Sequence, residues 1–399
     1  MSIRNKAAIV GIGQTEFSKD SGRSTLTMAL ECILEALDDA RLQPKDVDGI
    51  VKMRANDDFF EIDLMRSLGM ENLRYFSEIP HGGGAACGTI ASATAAVASG
   101  MADVVVTFRS LNERSERRFG ESSVGGGVGG WMAYYLPHGL VTPAQWVAIF
   151  AQRYLHEFGH TTEALGLVSV LVRKHAATNP HAMMHRKPVT MEDHQNSRWI
   201  AEPLRLLDCT LDTDGACAAV VVSAEKAKRL AQETGASRQE PGRSAPVYIA
   251  AAAQGTGSRT EMMTSYQRRS LSKLEEAEAT ARELYRQAEM TPADIGMAQI
   301  YDHFTPFVLM ALEAYGFAGP GEAPKLFREG RVELDGDLPL NTHGGHLGEG
   351  YLHGFGHIVE ATRQLRGTAV NQVPGVKSCL VTSGTGVPTS GLILTAEAY

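Results

Sequence analysis

Apolar residues along this chain fall alternately into short unbroken runs and longer stretches of helical spacing. Ala7-Ala8-Ile9-Val10-Gly11-Ile12-Gly13 is a run closed by glycine and reads as a buried strand. From about Thr25 to Arg41, Leu26, Ala29, Leu30, Ile33, Leu34 and Leu37 share one face, which predicts a helix. A turn through Pro44-Lys45-Asp46-Val47 then leads to a second strand at Gly49-Ile50-Val51. The same order returns late in the chain. Val247-Tyr248-Ile249-Ala250-Ala251 is strand-like, a helix is predicted from about Lys273 to Ala288, and Pro292-Ala293-Asp294-Ile295 precedes a strand ending at Ile300. Pro-x-Asp-Val/Ile between helix and strand thus occurs twice, which points to an internal duplication. A second pairing supports it. Thr89 to Ser99 predicts a helix before the strand Ala102 to Thr107, and Gly354 to Leu365 a helix before Cys379 to Thr382.

Alternating strands and helices in two similar halves predict an α/β fold of layered αβα halves, sheets covered by helices. The halves are placed at residues 1–242 and 243–399, with the polar stretch Glu233 to Ser244 as linker. Between about 111 and 165 the pattern breaks, which predicts a loop-domain insertion in the first half. Gly125 to Gly130 lies within it. Without a Gly-Lys-Ser/Thr ending it reads as a mobile loop or lid rather than a phosphate cradle.

Length and charge narrow the function classes. A chain of 399 residues exceeds the usual single core. A net charge of −8 argues against nucleic acid as the main partner, since phosphate binding needs a concentrated basic face. No apolar run is long enough to span a bilayer, and the start carries no secretory h-region, so a cytoplasmic protein is expected. The five cysteines (Cys32, Cys87, Cys209, Cys217 and Cys379) are scattered and have no zinc-knuckle spacing, so they are expected as small buried residues.

Four segments, in order, resemble the sterol-carrier-protein-type thiolases. They are His81-Gly82-Gly83-Gly84-Ala85-Ala86-Cys87-Gly88; Asn196 to Pro203 continuing through Cys209 to Ala216; Tyr301-Asp302-His303-Phe304, similar to His-Asp-Cys-Phe; and Asn341-Thr342-His343-Gly344-Gly345 continuing to Gly350-Tyr351-Leu352-His353-Gly354, similar to Asn-Pro-x-Gly-Gly…Gly-His-Pro-x-Gly. The resemblance implies the thiolase fold over nearly the whole chain. The departures bear on chemistry. Counting back from Ser99-Gly100, the nucleophile position falls on Gly83, with Cys87 a turn further into the helix. Tyr351 stands where the family has its catalytic histidine, Tyr301 where the third motif begins with histidine, and His303 in place of that motif's cysteine. Glycine cannot carry an acyl group, so Claisen chemistry is not expected.

The pattern with Tyr301 and Tyr351 is similar to the lipid-transfer-protein-like steroid side-chain aldolases. That resemblance implies retro-aldol cleavage of a β-hydroxyacyl-CoA, a 17-hydroxy steroid side-chain thioester, to a ketosteroid and a short acyl-CoA such as propionyl-CoA. It also implies a homodimer bound to a small partner with a zinc ribbon and an OB-fold. No cofactor is expected, because the thioester of CoA can itself take up the electrons of the breaking bond. Tyr301, Tyr351 and His303 are the expected catalytic residues. An unperturbed phenol has a pKa of about 10, so ionising it near pH 7 costs roughly 4 kcal/mol. A hydrogen bond from His303, or a helix N-terminus, is expected to favour the phenolate. Asp302, Asn341, Gly344 and Gly345 are expected in support, with backbone N–H groups available for an oxyanion hole. His343, His346, His353 and His357 with Glu349 raise a metal hypothesis, His353 and His357 sharing a helical face at i,i+4; the family resemblance assigns no metal. Two other functions stay open: a non-catalytic acyl-CoA or lipid carrier, and a structural subunit.

Overall fold

The computed structural model describes residues 3–53, 59–116, 118, 133–235, 245–259, 266–385 and 388–398. Gly125 to Gly130 and most of the expected linker lie outside the described residues.

The duplication is visible as two sets of strands with one order. In the first half are β1 (Ala7–Gln14), β2 (Gly49–Met53), β3 (Tyr75–Ile79), β4 (Val104–Asn112), the short pair β5 (Trp199–Ala201) and β6 (Leu204–Arg205), and β7 (Asp214–Ser223). In the second are β8 (Val247–Gly255), β9 (Ala298–Gln299), β10 (Ser378–Thr382) and β11 (Thr389–Thr395). The main sheet runs β3-β2-β4-β7-β1-β8-β11-β10-β9. β2 lies parallel to β4 as β9 does to β10, and both pairs continue antiparallel into β7 and β11. The halves meet where β1 and β8 pair through Ala8–Tyr248 and Ile9–Val247. Both Pro-x-Asp segments fold as 3-10 turns, Pro44–Asp46 and Pro292–Asp294, each closed by the aspartate accepting the N–H of the residue before the proline.

Helices fill both faces of the sheet: α1 (Thr25–Asp39), α2 (Glu61–Leu68), α3 (Ala86–Ala98), α4 (Pro143–Phe158), α5 (Glu163–Thr178), α6 (Met191–Asn196), α7 (Ala224–Thr234), α8 (Glu275–Ala288), α9 (Thr305–Ala314), α10 (Ala323–Arg328), α11 (Gly345–Gly348) and α12 (Phe355–Arg366). Strand alternation sorts the cores. Ala8 and Val10 pack with Met28, Ile33 and Leu37 of α1, whereas Ala7 and Ile9 face the layer that holds Ile90 of α3 and Ile358 of α12. α3 and α12 therefore share the middle layer, which brings the loops at their starts together.

The segment expected as an irregular insertion contains α4, a helix of 16 residues. Its signals were present. Thr142 precedes Pro143, and the Gln145 side chain accepts the Thr142 N–H at 2.9 Å, a helix-starting arrangement that the apolar spacing alone hides.

Candidate active site

Tyr301 leaves β9 at the edge of the sheet, and its position is fixed from two sides. Its N–H donates to Thr382 Oγ1 at 2.9 Å. The preceding residue, Ile300, is clamped by the Asn341 side chain, which accepts the Ile300 N–H at 2.7 Å and donates to the Ile300 carbonyl at 2.8 Å. Asn341 thus spends its amide on backbone. Tyr351 is pinned in the same manner. Thr213 Oγ1 accepts its N–H at 2.9 Å and donates to its carbonyl at 3.0 Å. The result is a pair of buried phenols with their oxygens 2.9 Å apart and their rings at 77°.

Gly83 is what makes room for this pair. It sits in the turn Gly82–Ala85 ahead of α3, and a Cβ there would lie 1.9 Å from the Tyr301 hydroxyl oxygen. The phenol of Tyr301 occupies the space that any side chain at 83 would need. Cys87 is inside α3 with its Sγ 3.6 Å from the Val381 carbonyl, fully buried, and burial pushes its thiol up to about 12. Its thiol is turned to a strand carbonyl and carries no thiolate near neutral pH.

Asp302 serves structure around the pair. Its carboxylate accepts the N–H of His346 at 2.9 Å and of Leu347 at 3.2 Å. Gly345 (φ +57°) allows this approach, since a Cβ there would fall 2.1 Å from Asp302 Oδ2; Gly344 (φ +104°) lets the loop lie against Ala176. The N–H groups of this loop nearest Asp302 are therefore occupied by its carboxylate. His303 meets Tyr301 edge-on at 4.7 Å between ring centroids, as His346 does at 4.6 Å. Burial lowers His303 to about 3 and holds His346 well below the ordinary histidine range.

The electrostatics overturn the expected phenolate. Burial raises both phenols above their ordinary value; for Tyr301 the hydrogen bond from Tyr351 offsets part of the rise, and Arg109 offsets a little at each. Burial keeps the two imidazoles that meet Tyr301 edge-on, His303 and His346, in the neutral form. The N-terminus of α3 is also engaged: the N–H groups of Cys87 and Gly88 donate to the Ser383 and Ser390 hydroxyls, each at 2.9 Å. This is a site of neutral phenols.

The histidines divide into two groups. Asp302, His346 and His357 bring ligand-capable atoms within 4.8 Å of one another. His353 does not join them. It precedes α12 with φ +51°, off the helix, and its Nδ1 accepts from Arg109 Nε at 3.1 Å, so the expected i,i+4 pairing with His357 does not form. Arg109, within β4, and Glu113, just past its end, are buried residues that the motifs did not single out. Burial first, then Asp212, raises the Glu113 carboxyl well above its usual range. The available signal was a cation following an apolar run, Val104-Val105-Val106-Thr107-Phe108-Arg109.

Comparison with known proteins places this geometry. Residues 256–395 match the thiolase C-terminal domain-like family. The chain is 52% identical to the steroid side-chain-cleaving aldolase of Thermomonospora curvata, covering 98% of each chain. It is also 52% identical to the 17-hydroxy-3-oxo-4-pregnene-20-carboxyl-CoA lyase of Mycobacterium tuberculosis, covering 98% of this chain and 100% of that one. The solved Ltp2-ChsH2(DUF35) aldolase superposes with a TM-score of 0.93 at 50% identity over the full length of both chains. The chain has the thiolase fold and belongs to the steroid side-chain aldolases of the thiolase superfamily.

Proposed function

We propose that the chain cleaves the β-hydroxyacyl-CoA thioester of a 17-hydroxy steroid side chain by a retro-aldol reaction, giving a ketosteroid and a short acyl-CoA such as propionyl-CoA. The observation that carries this is the hydrogen-bonded phenol pair standing where Gly83 has removed the nucleophile's side chain. The 52% identity to a lyase of such a thioester supports it.

Retro-aldol cleavage takes a proton from the β-hydroxyl and delivers one to the α-carbon, so it needs no net proton. Two neutral phenols 2.9 Å apart suit that balance. As the substrate's hydroxyl proton reaches one phenol oxygen, that phenol passes its own proton to the other, which protonates the α-carbon. The Cα–Cβ bond pair moves into the thioester as an enolate, the β-carbon becomes the ketone, and both tyrosines end neutral. A standing phenolate would cost roughly 4 kcal/mol before burial adds to it. His303, through its ring against Tyr301, holds that phenol toward Tyr351. The thioester acts as electron sink, so this route calls for no cofactor and no metal.

Phenylalanine variants test the proposal. Tyr301→Phe and Tyr351→Phe are each expected to lower kcat for ketone release by about 10² to 10⁴. Near-normal cleavage by either removes that residue from the mechanism. A carrier or scaffold would need no such pair of polar groups at the reacting centre, and wild-type protein that binds the thioester without cleaving it would favour that reading.

The assembly follows the same reading. β3 is an open edge strand with Phe76 67% exposed and Phe60 70% exposed nearby, a surface suited to a second copy and hence to a homodimer. The similar solved aldolase is Ltp2-ChsH2(DUF35), and we assign this chain a small DUF35-type partner with a zinc ribbon and an OB-fold. Among the described residues no helix is long and apolar enough to cross a membrane. Five cysteines without a disulfide and a CoA thioester substrate suit the cytoplasm.

A further inference from the structure

The buried carboxyl of Glu113 has no part in the scheme above. Glu113 is 3% exposed, and its Oε2 is buried without a hydrogen-bond partner. Leaving a carboxyl oxygen open at that depth costs the fold free energy, which a bound group with a matching atom would return. The backbone on either side is held firmly. Asn112 pairs with Asp214 across β4 and β7, and the N–H groups of Arg114 and Ser115 donate to Asp214 Oδ1 at 2.9 Å and 3.0 Å. Glu113 therefore leaves the sheet opposite Thr213, whose hydroxyl holds both backbone groups of Tyr351. Strand alternation agrees. Val105 and Leu111 face the middle layer with Ile90 and Ile358, whereas Val106 and Phe108 face α1. Glu113, two places past Leu111, continues the face from which Arg109 reaches His353 beside Tyr351. The electrostatics report the same nearness. Burial first raises both phenols, and a charge on Glu113 raises each of them further. Burial and then Asp212 hold the Glu113 carboxyl well above its usual range, so it keeps its proton. A carboxyl kept neutral by its surroundings can donate a hydrogen bond to developing negative charge.

Resting on the retro-aldol reading, we propose that the Glu113 carboxyl donates a hydrogen bond to the thioester oxygen as the thioester becomes an enolate. Backbone donors near the phenols are taken: the N–H groups of His346 and Leu347 by Asp302, and those of Cys87 and Gly88 by Ser383 and Ser390. The phenols themselves serve the β-hydroxyl and the α-carbon. During cleavage the hydroxyl proton passes to the phenols, and the Cα–Cβ electron pair leaves negative charge on the thioester oxygen, against the Glu113 O–H. The phenols then return a proton to Cα. Glu113 keeps its own proton throughout, so the proton balance of the reaction is unchanged.

The test compares Glu113→Gln, which keeps the shape and offers an amide N–H in place of the O–H, with Glu113→Leu, which has no donor. Two rates are read: ketone release from the β-hydroxyacyl-CoA, and exchange of the α-hydrogens of propionyl-CoA in heavy water, which needs the enolate but no steroid. Loss of an oxyanion donor costs about 10² to 10³ in kcat. The leucine variant is expected to lose about that much in both rates with KM within about threefold, and glutamine to stay within about tenfold of wild type. Melting temperature supplies a reading that a structural role would move the other way. Leucine removes a buried open carboxyl, so that variant is expected to melt at or above wild type while working more slowly. Leucine within about threefold of wild type in rate overturns the assignment. Glutamine no better than leucine overturns it too, since the ionised carboxylate would then be the active form. A leucine variant that melts lower or does not fold also overturns it, because the carboxyl would then support the fold. Cleavage by wild type with indifference at Glu113 would sink this inference alone. A wild-type protein without cleavage would sink both.

Discussion

The starts of α3 and α12 occupy equivalent places in the two halves, each ahead of the strand that runs parallel to its neighbour, yet they are built oppositely. Ahead of α3 the chain is stripped to Gly82-Gly83-Gly84, and its first N–H groups are met by Ser383 and Ser390 from the other half. Ahead of α12 it carries Tyr351 and His353, with the latter in a strained conformation. Both loops end in the shared middle layer, and the space surrendered ahead of α3 is filled by Tyr301, from the end of β9 in the other half. The difference teaches that chemistry in a duplicated fold can change sides: the half that once offered a side chain now offers a vacancy, into which Tyr301 reaches.

That comparison is most exposed at Gly83. Gly83→Ala places a methyl 1.9 Å from the Tyr301 oxygen, so the ring must shift. Misplacement of a reacting group by about 1 Å costs about 10² in rate, and kcat for ketone release is expected to fall by about that much. An alanine variant of wild-type activity would show that the space is not shared. A smaller effect separates the polar setting of α12 from the apolar one of α3. Glu349, buried beneath the loop before α12, is pushed up to about 7, first by burial and then by Glu360. An acid whose folded pKa lies above its unfolded one favours the fold most when protonated, so this contribution is lost as pH rises from about 4.5 toward 7. Melting temperatures between pH 5 and pH 8 should therefore fall less in Glu349→Gln than in wild type, and parallel curves would remove Glu349 as the cause. The smallest effect is expected on the other side. Cys87→Ala deletes a buried sulfur, costing about 1 kcal/mol of stability with kcat within about twofold. A large loss of activity there would return the thiol to the chemistry.

How much of this was legible in the sequence follows from what each signal encodes. Strand runs, helical spacing and the twin Pro-x-Asp turns are local patterns, and the two-half architecture follows from them. Tyr301 and Tyr351 were found through motifs, because fixed spacing from glycines marks a position even when its side chain changes. The α4 helix was hidden by its neighbourhood, since the break in the pattern expected from about 111 to 165 spans the Thr142-Pro143 start. Asn341 and Asp302 read as site residues, and the fold uses them as clamps, on Ile300 and on the His346–Leu347 N–H groups. Long-range pairing made that choice. Arg109 escaped notice for the same reason: its partner is 244 positions away.

The claim that the two phenols act as one proton-passing unit is tested most directly by a double-mutant cycle. Ketone release would be timed for wild type, Tyr301→Phe, Tyr351→Phe and the double variant. Groups that act as a unit lose their function together, so the double variant should be no slower than the slower single one. Losses that multiply across the two substitutions would contradict it, and would mean that each phenol works alone.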